Sequence, residues 1–122
     1  MAADAVVIKE RGFRSIKVKV GKNGAADIER ISAIRMAIGN EIPLRIDANQ
    51  GWGRDEAVDT LTSLSAFNIQ FCEEPVPRWM FMELPVIRKR SPIKIMADES
   101  CLDHYDAERL IGLSACDYFN VK

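Results

Sequence analysis

The sequence predicts an α/β fold of about five parallel strands with alternating helices, and three observations lead there. Short β-branched or apolar runs alternate with longer segments whose apolar residues recur at helical spacing. This order repeats along the 122 residues with no linker rich in Pro, Gly or Ser to divide it. Each apolar run also ends on a charged side chain, and these charges recur every 24–28 residues, close to the ~30 residues of one βα unit.

A first helix is expected ahead of the first strand, "SIKVKV". Period-two alternation there sends Lys17 and Lys19 to one face and Ile16, Val18 and Val20 to the face that packs on helices. "GKNG" (Gly21 to Gly24) lacks the G-K-[ST] ending of a phosphate loop and reads as the turn into the next helix. That helix carries the stripe Ile28, Ile31, Ile34 and Ile38 and stops at Gly39-Asn40. After the strand "PLRID", Val58, Leu61 and Leu64 mark a helix ending before Asn68, followed by the strand "NIQFCEE". Leu84 and Ile87 flank Pro85, which suits a first helical turn, and the strand "IKIMADE" follows. Asp103 or Asp106 caps the helix carrying Leu110 and Ile111, and "DYFNVK" is the last strand. Crossovers this short imply a parallel sheet with right-handed connections.

Seventeen basic against eighteen acidic side chains give a net charge of −1, with no basic run or aromatic-basic interleaving, so nucleic acid is not an expected partner. No apolar stretch approaches the ~20 residues of a membrane span and no signal-peptide pattern opens the chain, so a cytoplasmic protein is expected. Cys72, Cys101 and Cys116 lack C-x-x-C spacing and read as reduced thiols. His104 reads as a helix-start surface residue. "RWMFM" (Arg78 to Met82) offers an apolar patch for packing or association, and Trp52 either lines a site mouth or covers a rim.

The charges at the strand ends are Lys19, Asp47, Glu73 (followed by Glu74), Asp98 and Lys122. In a parallel α/β sheet the carboxyl ends of the strands open on one side, where ligands bind. Three successive strands thus bring one carboxylate each to a common point. Such a set repels itself without a cation, and its hard oxygens suit Mg²⁺ or Mn²⁺. Lys17 and Lys19 on one side and Lys122 on the other place an amine near each face of a bound substrate. Repulsion between the paired ammonium groups, burial and a nearby cation are expected to lower a lysine's pKa toward use as a base. That arrangement suits removal of a proton from carbon next to a carboxylate on one face and its return on the other.

The motifs "KVKVG", "RIDANQGW", "CEEPV", "MADES" and "DYFNVK" resemble the successive strand-end motifs of the muconate lactonizing branch of the enolase superfamily, and within it the dipeptide epimerases. The resemblance implies a partial TIM (βα)8-type barrel and a Mg²⁺-dependent isomerase that epimerises a small carboxylate substrate such as a dipeptide. It implies Asp47, Glu73 and Asp98 as metal ligands, with Glu73 preferred to Glu74. It implies Lys19 and Lys122 as the acid/base pair, Lys17 tuning Lys19, and Asn49 and Glu99 supporting the ligands or the distal lysine. A complete barrel needs about 250 residues, so residues 1–122 are expected to be a piece of the C-terminal barrel domain, without the N-terminal capping domain and the last βα units.

Five strands do not close a barrel. The edges are expected to be covered by self-association, by reopening into a doubly wound sheet with helices on both faces, or by further segments. The alternatives to an enzyme are a non-catalytic, self-associating barrel segment and a receiver-like phosphoacceptor module with Mg²⁺ and phosphorylation at Asp47.

Overall fold

The computed structural model describes all of residues 1–122. Its elements run α1 (Ala2–Glu10), β1 (Ile16–Lys19), α2 (Gly24–Ile38), β2 (Leu44–Asp47), α3 (Arg54–Ser63), β3 (Ile69–Glu73), a 3-10 helix (Arg78–Glu83), α4 (Leu84–Arg90), β4 (Lys94–Ala97), α5 (His104–Gly112) and β5 (Tyr118–Phe119). Asn23 caps α2 by accepting the Ala26 N–H, and Asp103 caps α5 by accepting the Asp106 N–H. Pro85 lies in the first turn of α4, where its missing N–H costs no helical bond.

The five strands are parallel and lie in the order β1-β2-β3-β4-β5, with no reversal. Right-handed crossovers in a monotonic order put every helix on the same face of the sheet. Burial agrees: Ile16, Val18, Val20, Leu44, Ile46, Cys72, Ile95 and Ala97 are buried against Ile31, Ile34, Ile38, Leu61, Leu64, Leu84, Ile87 and Leu110. This is a stretch of a (βα) barrel wall. The doubly wound alternative is corrected, because it needs helices on both faces. The receiver alternative also fails, because that fold inserts β1 between β2 and β3.

Residues on the opposite, inner face carry the charge. Lys19 pairs with Asp47, and Asp47 with Glu73, as direct neighbours across β1, β2 and β3. The second pairing depends on an irregularity. Leu44 lies opposite Ile69, but Arg45 lies opposite Phe71, so Gln70 is an extra residue in β3. Were Gln70 paired in the ladder, Asp47 would face Cys72. With Gln70 bulged out, Ile69 and Cys72 both serve the core and Glu73 joins the inner row.

Two strands end earlier than the sequence suggests. β4 stops at Ala97 because the Asp98 N–H is taken by Glu74 Oε2, 2.8 Å away. β5 pairs only through Phe119, extended by the Asn120 N–H to Ala97 O at 2.9 Å, so Lys122 lies beyond the strand. β1 and β5 each have a neighbour on one side only.

Two packing features hold the wall. Arg35, nearly buried on α2, donates to the carbonyls of Gly39, Ile42, Phe67 and Asn68 at 2.7–3.1 Å, tying the end of α2 to the entries of β2 and β3. Gly21 and Gly51 let two loops meet backbone to backbone: a Cβ on Gly51 would lie 1.9 Å from Gly21 O, and one on Gly21 equally close to Ala48 O. Trp52 is buried (1% exposed), so it lines no open mouth. All three cysteines are free thiols, and burial pushes Cys116 up to about 11. His104 is exposed at the start of α5, as expected. Trp79 and Met82 of the 3-10 helix are exposed, and no helix is long and apolar enough to cross a membrane.

Arg35→Ala strands four carbonyls and is expected to lower unfolding free energy by about 3 kcal/mol in urea titrations, with Arg35→Lys recovering less than half. Gly51→Ala is expected to cost more than about 2 kcal/mol, whereas Gly53→Ala, which meets nothing within 4 Å, should stay within about 1 kcal/mol.

Candidate active site

Each strand end of the inner face delivers one functional side chain. The carboxylates are nearly buried, with side-chain exposures of 5% for Asp47, 3% for Glu73 and 12% for Asp98. The lysines are more open, at 42% for Lys17, 66% for Lys19 and 70% for Lys122. Three buried acids require positive charge, and ammonium groups supply it. Lys19 Nζ donates to Asp47 Oδ2 at 2.5 Å. Lys17 Nζ donates to Glu73 Oε2 at 2.6 Å and lies 3.1 Å from Asp47 Oδ2, bridging the two acids. Lys122 Nζ lies 2.6 Å from Asp98 Oδ1.

The pairing sets the protonation states. Burial would push Asp47 upward, but hydrogen bonds from Lys19, Lys17 and the Asn49 N–H hold it below the usual carboxylate range. Asp98 behaves alike: burial is outweighed by Lys122 and by hydrogen bonding with Glu73. Lys17 is drawn two ways. Burial does pull it down, yet the hydrogen bonds and charges of Glu73 and Asp47 outweigh that and leave it raised. Lys122 is raised by its hydrogen bond to Asp98. The ammonium groups meet carboxylates before they meet each other, so attraction replaces the expected repulsion.

The two supporting residues act in different ways. Asn49 holds Asp47 through its backbone N–H, 2.9 Å from Oδ1, while its side chain is exposed. Glu99 holds no ligand: its Oε2 is buried without a hydrogen-bond partner, and its charge adds to the field on Lys122. As the side chains stand, no three acids, histidines or cysteines are grouped to hold a metal ion, because the ammonium groups occupy the ground between the carboxylates.

Sequence reasoning missed three contributors. Glu74 is fully buried, pushed up by burial, and accepts from the Asp98 and Ser100 N–H groups and the Ser100 hydroxyl. It thereby fixes the backbone that carries Asp98. The acid pair held the signal, since consecutive strand residues point to opposite faces and only one of Glu73 and Glu74 can face the site. Asn120 Nδ2 donates to Glu73 Oε1 at 2.9 Å, which only β5 packing reveals. Beside Lys122 a groove of about 480 Å³, lined in part by Glu99, Leu102, His104 and Phe119, opens next to Asp98.

Residues 1–122 match throughout the family described as Enolase C-terminal domain-like. The D-Ala-D/L-Ala epimerase of Cytophaga hutchinsonii is 59% identical over 122 residues, covering 100% of this chain and 33% of that protein. The L-Ala-D/L-Glu epimerase of Clostridium acetobutylicum is 41% identical over 124 residues, 100% of this chain and 35% of that protein. Among solved structures, the Cytophaga hutchinsonii dipeptide epimerase complexed with Mg and D-Ala-L-Val superposes with a TM-score of 0.96 at 59% identity, over 98% of this chain and 32% of that one. The Enterococcus faecalis dipeptide epimerase complexed with Mg and L-Leu-L-Tyr gives 0.96 at 40% identity, over 99% and 34%. The chain spans about a third of the length of these relatives. With its whole length matched and its strands superposed on theirs, the chain belongs to the Enolase C-terminal domain-like family of the enolase superfamily.

Proposed function

We propose that this chain is the central part of the barrel domain of a Mg²⁺-dependent dipeptide epimerase, and that its strand ends carry the metal and proton-transfer groups. One observation carries the reading. Amines from opposite ends of the sheet, Lys19 on β1 and Lys122 past β5, both reach the same arc of three in-line carboxylates.

The donor set fits a hard divalent cation. Asp47, Glu73 and Asp98 offer only oxygen, and Asp47 and Glu73 already converge on a single positive charge, Lys17 Nζ. Mn²⁺ falls in the same class. To serve as ligands the acids must be released by Lys17, Lys19 and Lys122, whose exposure gives them room to swing away. When bound, Mg²⁺ supplies the charge that draws electron density from the α-carbon into the substrate carboxylate.

This chain's residues do the rest. Lys19, once free of Asp47 and having given up its own proton as the neutral amine, takes the α-proton from one face, and Lys122 as the ammonium returns a proton to the other, inverting the centre. Lys17, on the same strand face two residues before Lys19, sets the field at Lys19 after it releases the acids. Glu74 and the Asn49 N–H keep Asp98 and Asp47 aimed inward. The relatives complexed with Mg and dipeptides support the substrate class.

A second reading, a self-associating barrel segment without turnover, is favoured by the one-sided pairing of β1 and β5 and by exposed Tyr118 and Val121. Sedimentation of the chain as a monomer at all concentrations would dismiss that reading.

Calorimetric titration with Mg²⁺ is expected to show saturable binding that weakens at least about tenfold in Asp47→Ala, whereas no binding by the folded chain rejects the metal assignment. In D₂O, NMR is expected to show Mg²⁺-dependent α-proton exchange in L-Ala-L-Glu or D-Ala-L-Ala, reduced at least about a hundredfold in Lys19→Ala. Exchange that persists in that variant removes Lys19 from the acid/base pair.

A further inference from the structure

α2 carries two acids. Glu29 is exposed, but Asp27 has no exposure at all and lies on the core stripe with Ile31, Ile34 and Ile38. A buried carboxylate is costly unless its oxygens are bonded, so each of its contacts calls for a reason.

Oδ2 accepts three hydrogen bonds. The Gly21 N–H at 2.9 Å and the Asn23 N–H at 3.2 Å come from the loop after β1, and Trp52 Nε1–H at 3.0 Å comes from the loop after β2. Oδ1 has no hydrogen-bond partner and faces Arg30 Nη1 at 3.7 Å. That same Nη1 donates to the carbonyl of Lys19 at 2.9 Å. Helix capping accounts for the bonds to Gly21 and Asn23, but not for an indole 25 residues away or for full burial. One carboxylate therefore joins the loop behind Lys19 to the loop behind Asp47, at the place where Gly21 and Gly51 bring those loops into backbone contact. The Trp52 N–H extends the tie to Pro75 O at 3.1 Å, beside β3.

We infer that Asp27 is a positioning residue: through Gly21, Trp52 and Arg30 it clamps the first two strand-end loops together and so sets how Lys19 stands against Asp47. The expected effect on metal binding rests on the function proposed above, while the clamp itself does not. Asp27 touches neither metal nor substrate and acts only through the two loops.

Amide hydrogen exchange by NMR on the chain, Asp27→Asn and Trp52→Phe tests this, with calorimetric Mg²⁺ titration of all three. The amides of Val20, Gly51 and Trp52, which bond across or within these loops, are expected to exchange about tenfold faster in both variants, while the Ile95 amide in β4 keeps its rate. Mg²⁺ affinity is expected to fall by about the same factor. Unchanged loop amides in a folded variant overturn the clamp, and equal acceleration at Ile95 overturns it too, since that reports only lost stability. If Asp27→Asn fails to fold, Trp52→Phe, which leaves the carboxylate two of its donors, carries the comparison alone. If the chain itself binds no Mg²⁺, the metal assignment fails and the exchange rates still decide the clamp.

Discussion

Mutual repulsion among Asp47, Glu73 and Asp98 is the constraint around which this structure is arranged. At an effective dielectric of about 20, two like charges 4 Å apart repel by about 4 kcal/mol, and three nearly buried acids on adjacent strands multiply that cost. The chain answers with three ammonium groups, each donating to a different acid of the arc. The balance is local, and the near-neutral total charge hides it. On the function proposed above, cation binding and lysine release are a single exchange, and the groups that shield the acids are those then free to handle protons.

The rim of the sheet keeps these charges in line by leaning each strand end on the next. The Val20 N–H reaches Asp47 O, the Ala48 N–H reaches Glu73 O, the Glu74 N–H reaches Met96 O, and the Asn120 N–H reaches Ala97 O. Glu74 and Asp27, both fully buried, add carboxylate ties at two of these joints. Buried acids therefore appear in two roles here. Those on the inner face pair with the lysines of the proposed site, and Glu74 and Asp27 hold loops.

Much of this was legible in the sequence. Alternation of strand and helix, a capping Asp at the start of α5, the inward row of Lys17 and Lys19, and the regular spacing of the strand-end charges are local properties of the chain. What escaped is non-local. The raised Lys17 depends on acids 30 and 56 residues away, and Asn120 reaches Glu73 only after β3, β4 and β5 have paired. Asp27 reads as an ordinary helix-start acid until Trp52 is seen against it. The earlier end of β4 follows from a side chain, Glu74, that takes a ladder donor.

The extra residue at Gln70 shows where the site is most fragile. Substitutions change one side chain at a time, and a parallel strand absorbs most of them without moving its neighbours. Deletion of Gln70 would only make the ladder regular, but one residue inserted after Phe71 would leave every acid present in the chain yet turn Glu73 into the helix layer and bring the Cys72 thiol into its place in the row. Sulfur would then stand between two carboxylates. The identity of the donor atoms is therefore written in strand length as well as in residue type, and this barrel wall should tolerate exchange of letters far better than a change in their number.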